Sequence, residues 1–91
     1  MARRLCMRCY VSGKVQGVCY RASAKEQADN LGINGWARNL ADGRVEIFAC
    51  GDEEQMQLFY DWLKQGPVLA KVTESRRTDL PWEDYQGFDT F

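Results

Sequence analysis

The segment Gly13-Lys14-Val15-Gln16-Gly17-Val18-Cys19-Tyr20-Arg21 constrains this chain most, because a strand pattern ends there and a helix pattern begins within one short turn. Before it, Leu5, Met7, Cys9 and Val11 alternate with Cys6, Arg8 and Tyr10, which predicts a first strand over Leu5–Val11. After it, Ala24, Ala28 and Leu31 fall at helical spacing, which predicts a helix over Ala22–Leu31 stopped by Gly32. A junction of this kind collects hydrogen-bond donors. A turn relieved by Gly13 and Gly17 lets successive N–H groups point inward, the following helix adds its own unpaired N–H groups, and Arg21 offers a planar fork. The residues alone leave two readings open: an anion cradle sized for one phosphoryl group, or a glycine turn followed by a surface arginine.

The remaining pattern sets the architecture. Ile33–Asn39 and Arg44–Cys50 read as strands joined by Leu40-Ala41-Asp42-Gly43, whose Asp-Gly is a strong hairpin signal. Asp52 should cap a second helix, with Gln55 as its reciprocal partner and Met56, Phe59, Tyr60 and Leu63 as the apolar stripe. Gly66-Pro67 ends that helix, Ala70–Arg77 is a fourth strand, and a short strand at Phe88–Phe91 closes the chain. The order βαββαβ with a short tail predicts an α+β, ferredoxin-like sandwich, an antiparallel sheet with two helices on one face.

Size and charge exclude several classes of function. At 91 residues the chain is expected to be a single domain over 1–91, with any site on its edge. Twelve basic and thirteen acidic residues give a net charge of −1 without long like-charge runs, so no nucleic-acid partner is expected. An RNA-binding domain of this fold would also need exposed aromatics in a defined pattern on its central strands, which Val45-Glu46-Ile47-Phe48-Ala49 does not supply. Apolar stretches too short for a membrane span, and the lack of a signal-peptide core, point to the cytoplasm and to no membrane partner. With no histidine, the chain has no Ser-His-Asp triad, Cys-His pair or histidine base.

The four cysteines at positions 6, 9, 19 and 50 do not suggest metal. Cys6 and Cys9 sit at an odd offset on one strand and so point to opposite faces, and no second C-x-x-C completes a zinc site. Cys19 and Arg21 are too close in sequence for the phosphate-wrapping loop of a cysteine phosphatase, and Cys19 reads as a packing residue. In a ferredoxin-like sheet the first and third strands are antiparallel neighbours. A register pairing Cys6 with Cys50 also pairs Arg8 with Phe48 and Tyr10 with Glu46, all on the face away from the main core. Cys6 and Cys50 are therefore a possible disulfide, set against two free thiols in a reducing cytoplasm.

Topology also brings Asn39 toward the Gly13–Arg21 segment. A right-handed crossover makes the first two strands parallel, so the end of the second lies beside the loop leaving the first. Asn39 could then share a ligand with Arg21, or serve only as a turn residue.

Taken together, Gly13-Lys-Val-Gln-Gly-Val-Cys-Tyr-Arg21 and Gly35-Trp-Ala-Arg-Asn39-Leu-Ala-Asp-Gly43-Arg-Val45, followed by Gly51, resemble the two signatures of the acylphosphatase family. The likeness covers nearly the whole chain, including Leu31-Gly32 and Trp62-Leu63. It implies the fold just derived and hydrolysis of the carboxyl-phosphate bond of acyl phosphates; the missing histidines and the lack of a cluster of soft ligands or convergent carboxylates add the expectation of no metal or other cofactor. By that resemblance Arg21 binds phosphate, Asn39 positions the attacking water, and Gln16, Gly17, Val18, Cys19, Tyr20 and Arg21 form the phosphate-binding loop. The implied partners are a small acyl phosphate substrate and inorganic phosphate as product or inhibitor, acting on a monomer. A noncatalytic anion-sensing or interaction module of the same fold is the alternative. Cys19 stands where many members carry glycine, and Phe88-Asp89-Thr90-Phe91 is less apolar and less basic than the usual closing strand.

Overall fold

The structure, a computed structural model, describes residues 3–91. In chain order the elements are β1 (Arg4–Lys14), α1 (Tyr20–Leu31), β2 (Asn34–Asn39), β3 (Val45–Asp52), α2 (Glu53–Leu63), β4 (Lys71–Leu80) and β5 (Phe88–Thr90). The five strands form one sheet in the order β4-β1-β3-β2-β5. All neighbours are antiparallel except β2 and β5, which run parallel with Gly35 opposite Phe88 and Ala37 opposite Thr90. The sheet is therefore mixed where an antiparallel one was expected. The segment after β4 crosses the back of the sheet, stacking Tyr85 edge-on against Phe48, and so reaches the edge of β2 travelling in the same direction.

Alternation sorts the two faces. Leu5, Met7, Cys9 and Val11 of β1, with Val45, Ile47 and Ala49 of β3, turn to the helices and pack on Ala24, Ala28, Met56, Phe59 and Leu63. Phe88 closes this core edge-on against Phe59 at 5.9 Å between ring centroids. The opposite face holds a smaller cluster of Cys6, Phe48 and Cys50, flanked by Trp36, Leu80 and Tyr85. The β1–β3 register pairs Cys6 with Cys50, Arg8 with Phe48 and Tyr10 with Glu46. Cys6 and Cys50 lie 4.0 Å apart at Cα and are joined as a disulfide, whose Cys6 Sγ accepts the Glu83 N–H at 3.2 Å.

Several boundaries move for physical reasons. β1 runs on to Lys14 because β4 continues to pair with it, with an irregularity in register at Ser12 and Gly13. At Gly13, φ is 117° and a Cβ would lie 2.1 Å from the Lys71 carbonyl oxygen, so the close approach there requires glycine. β4 extends through Thr78, Asp79 and Leu80, well past Arg77, through its pairing with β1. α1 begins at Tyr20, earlier than Ala22, because the Tyr20 ring is buried and its hydroxyl donates to the Leu63 carbonyl at 2.6 Å. Asp52 does stand at the N-cap of α2, but its side chain makes no capping hydrogen bond and faces Arg4 at 3.7 Å, so the predicted capping box with Gln55 does not form.

Candidate active site

β1 delivers the chain to Val15 and α1 takes it up at Tyr20, so the phosphate-loop segment bridges the two across the end of the sheet. It is pinned at both ends, because Val15 and Val18 are buried in the core. Between and after them Gly17 has φ 75° and Cys19 φ 62°, both left-handed. That backbone turns the loop's N–H groups away from helical pairing. Among the described residues no carbonyl or side chain accepts a hydrogen bond from the N–H groups of Gln16 to Ala22, and the first turn of α1 has no acidic residue. Unpaired donors at a helix start, with its positive dipole end, suit a doubly charged phosphoryl group.

The loop faces a concavity of about 200 Å³ lined by Val15, Gly17, Cys19, Tyr20, Arg21, Ala22, Asn39 and Thr90. Of the residues singled out in sequence, Gly17, Cys19, Tyr20, Arg21 and Asn39 meet there. Val18 does not, since it turns into the core. Gln16 also points elsewhere, its side-chain amide donating to the carbonyls of Leu40 and Arg44 at 2.8 and 3.0 Å.

Arg21 is half-buried on the first turn of α1, and its guanidinium donates to the main-chain oxygen of Phe91. One turn on, the Lys25 ammonium donates to the Phe88 carbonyl at 2.8 Å and pairs with Asp29 at 3.3 Å. The closing strand is thus tied to the helix that carries Arg21. Sequence reasoning missed this contribution of Thr90 and Phe91. Their short tail has no strand-like alternation, and its parallel seat on β2 follows from the path of the segment after β4, which no local signal in the sequence announces.

Asn39 ends β2 opposite Val45, and the turn beyond it is closed by Leu40 N–H to Arg44 O at 2.8 Å and Gly43 N–H to Leu40 O at 3.2 Å. Asp42 accepts the Arg44 N–H at 3.1 Å and pairs with its side chain at 2.8 Å. The Arg44 main-chain N–H, with that ion pair behind it, holds the Asp42 carboxyl below the usual carboxylate range. Just before the turn, the buried Glu46 is shared by Arg38 at 2.7 Å, the Tyr10 hydroxyl at 3.1 Å and Arg8 at 3.4 Å. The Asn39 end of β2 is therefore held by β1 and β3 as well as by its turn.

Cys19 is exposed in the concavity, contrary to its reading as a packing residue. Its left-handed backbone at the helix N-cap swings the side chain out of the core. Cys9 is the buried free thiol, and burial pushes its pKa up to about 12. Alkylation of the native protein with iodoacetamide should therefore stop at one adduct, on Cys19, and inorganic phosphate should slow it. Because Cys19 holds a left-handed conformation that glycine adopts freely, Cys19→Gly should raise stability by about 1 kcal/mol. Mass mapping that finds the native adduct on Cys9, or a melting temperature lowered by the glycine, would contradict this assignment.

A family model described as Acylphosphatase matches residues 7–90. The acylphosphatase of Legionella pneumophila (strain Corby) is 62% identical over 89 residues, covering 98% of each chain. Among solved structures, an acylphosphatase from Coxiella burnetii superposes with a TM-score of 0.92 at 38% identity, over 97% of this chain and 93% of that one. The acylphosphatase from Bacillus subtilis gives the same TM-score, 0.92, at 38% identity, over 96% of this chain and 98% of its own.

Proposed function

Because the chain belongs to the acylphosphatase family and is an acyl phosphate hydrolase, we propose that Arg21 and the N–H groups of Gln16 to Tyr20 hold the phosphoryl group while Asn39 orients the attacking water. The observation that carries this reading is the meeting of unpaired main-chain donors, Arg21 and Asn39 in one concavity. A noncatalytic module of the same fold is set aside by relatives of equal length that are acylphosphatases.

The chemistry needs little more than these groups. An acyl phosphate is a mixed anhydride, and its carboxylate leaves without a proton, so neither a strong general acid nor a covalent nucleophile is required. In a loose transition state the charge spreads over the three equatorial phosphoryl oxygens, which the N–H groups and the guanidinium fork can hold. The neutral Asn39 amide accepts from or donates to a water placed in line with the departing carboxylate. Among the described residues no side-chain carboxylate lines the concavity, so the proton lost by that water goes to the phosphate product.

No helix among the described residues is long and apolar enough to cross a membrane. We infer a cytoplasmic monomer acting on a dissolved acyl phosphate, with inorganic phosphate competing for the same cradle. The purified protein should hydrolyse acetyl phosphate and leave a phosphate monoester untouched, because the monoester's alkoxide leaving group needs the acid this site lacks. Turnover should persist in a strong chelator and show no inflection near neutral pH of the kind a histidine gives. Equal rates on the monoester, or activity lost to the chelator and restored by one divalent ion, would remove this mechanism.

A further inference from the structure

We propose that the Gln16 side chain is a positioning residue that sets the distance between the phosphate loop and Asn39. Its amide Nε2 carries two N–H groups, and both are used: one donates to the Leu40 carbonyl at 2.8 Å, the other to the Arg44 carbonyl at 3.0 Å. Those carbonyls open and close the turn that follows Asn39, and Leu40 and Arg44 are already joined by a main-chain hydrogen bond. Gln16 therefore grips the turn across its neck. Among the described residues no other side-chain hydrogen bond joins residues 15–19 to residues 40–44.

The consequence follows from where each half of the reaction is held. The phosphoryl group sits against N–H groups of the loop, whereas the water sits against Asn39, one residue before the gripped Leu40. An in-line attack depends on the spacing of these two, and a displacement of about 1 Å can cost roughly 100-fold in rate. The sheet holds β2 as far as Asn39, its last residue paired with Val45, but Leu40 and the turn that starts there lie beyond it. Gln16 spans that remaining gap. Its own amide is turned away from the concavity, so it acts through Asn39 and the turn, without touching substrate.

The inference rests on the water-positioning role given to Asn39 above, and a double-mutant cycle separates the two. Gln16→Met keeps length and removes both donors; Gln16→Glu keeps shape and turns an oxygen toward two carbonyls. The expected result is a fall in kcat of about 10-fold for Met and about 100-fold for Glu. The inhibition constant of inorganic phosphate should stay within a few-fold, because the loop donors and Arg21 are untouched. In an Asn39→Ala background, Gln16→Met should cost less than about 2-fold further, since its route to the reaction is already gone. Folded variants with lower melting temperature but normal kcat would overturn the inference and leave Gln16 a structural residue. So would a full 10-fold loss in the Asn39→Ala background. An Asn39→Ala protein with near-normal turnover would instead sink the water-positioning role itself.

Discussion

Arg21→Ala is expected to abolish nearly all turnover, about 1000-fold or more, and to weaken inorganic phosphate binding in the same protein. A single preorganised donor removed from an oxyanion site typically costs about 100- to 1000-fold, and a guanidinium supplies a full charge as well as paired donors. The charge it faces is present in the bound substrate, the transition state and the product alike. Both kcat and the phosphate inhibition constant must therefore move. Arg21→Lys should recover binding better than turnover, because an ammonium restores the charge without the planar fork that matches two phosphoryl oxygens. The fold should tolerate either change. Arg21 is half-buried and its protein partner is the Phe91 main-chain oxygen at the end of β5, so loss of the side chain frays that end and leaves the core intact. Steady-state kinetics and phosphate inhibition on variants of unchanged far-UV spectrum measure this, and a folded Arg21→Ala enzyme with near-normal kcat would show that the loop alone holds the phosphoryl group.

Much of this architecture was legible because its long-range order follows from short-range pattern. Alternation in β1 and β3, a hairpin signal at Asp42-Gly43 and two helical stripes leave few topologies, and the split βαβ arrangement then dictates that Cys6 faces Cys50 and Tyr10 faces Glu46. The same logic carried Asn39 to the loop, since the crossover through α1 fixes the direction of β2. What escaped is what main-chain pairing or distant side chains decide. β4 runs on through Thr78 and Asp79 because an edge strand needs only main-chain partners, and exposed polar side chains leave no alternation to read. β5 is three residues whose parallel seat on β2 depends on where Tyr85 packs, and with it went the contributions of Thr90 and Phe91 to the site. Cys19 was assigned from the usual burial of free cysteine, but a left-handed backbone at a helix start overrides that tendency. Asp52 had the sequence of a capping residue and an arginine on β1 as competitor. No local signal announces that the Gln16 amide will be satisfied by carbonyls 24 and 28 residues away.

Asn39→Ala is expected to separate what Arg21→Ala joins. Asn39 is uncharged, and in the proposed mechanism its partner is the water, so it contributes chiefly once that water moves onto phosphorus. An interaction used mainly in the transition state lowers kcat when removed and leaves ground-state affinity in place. Turnover should fall about 100- to 1000-fold, the typical cost of one lost preorganised hydrogen bond, with the phosphate inhibition constant changed by no more than a few-fold. The competing explanation is that Asn39 only shapes the turn. Its side chain is exposed, the turn beyond it is closed by the main-chain pair of Leu40 and Arg44 and by Asp42, and the strand behind it is held through Glu46. Each of those contacts survives truncation at Asn39, so the melting temperature should change little. Thermal unfolding measured beside kcat and phosphate inhibition decides the matter: a stable, phosphate-binding, inactive protein assigns Asn39 to the water, whereas a folded protein of near-normal turnover assigns it to the turn alone.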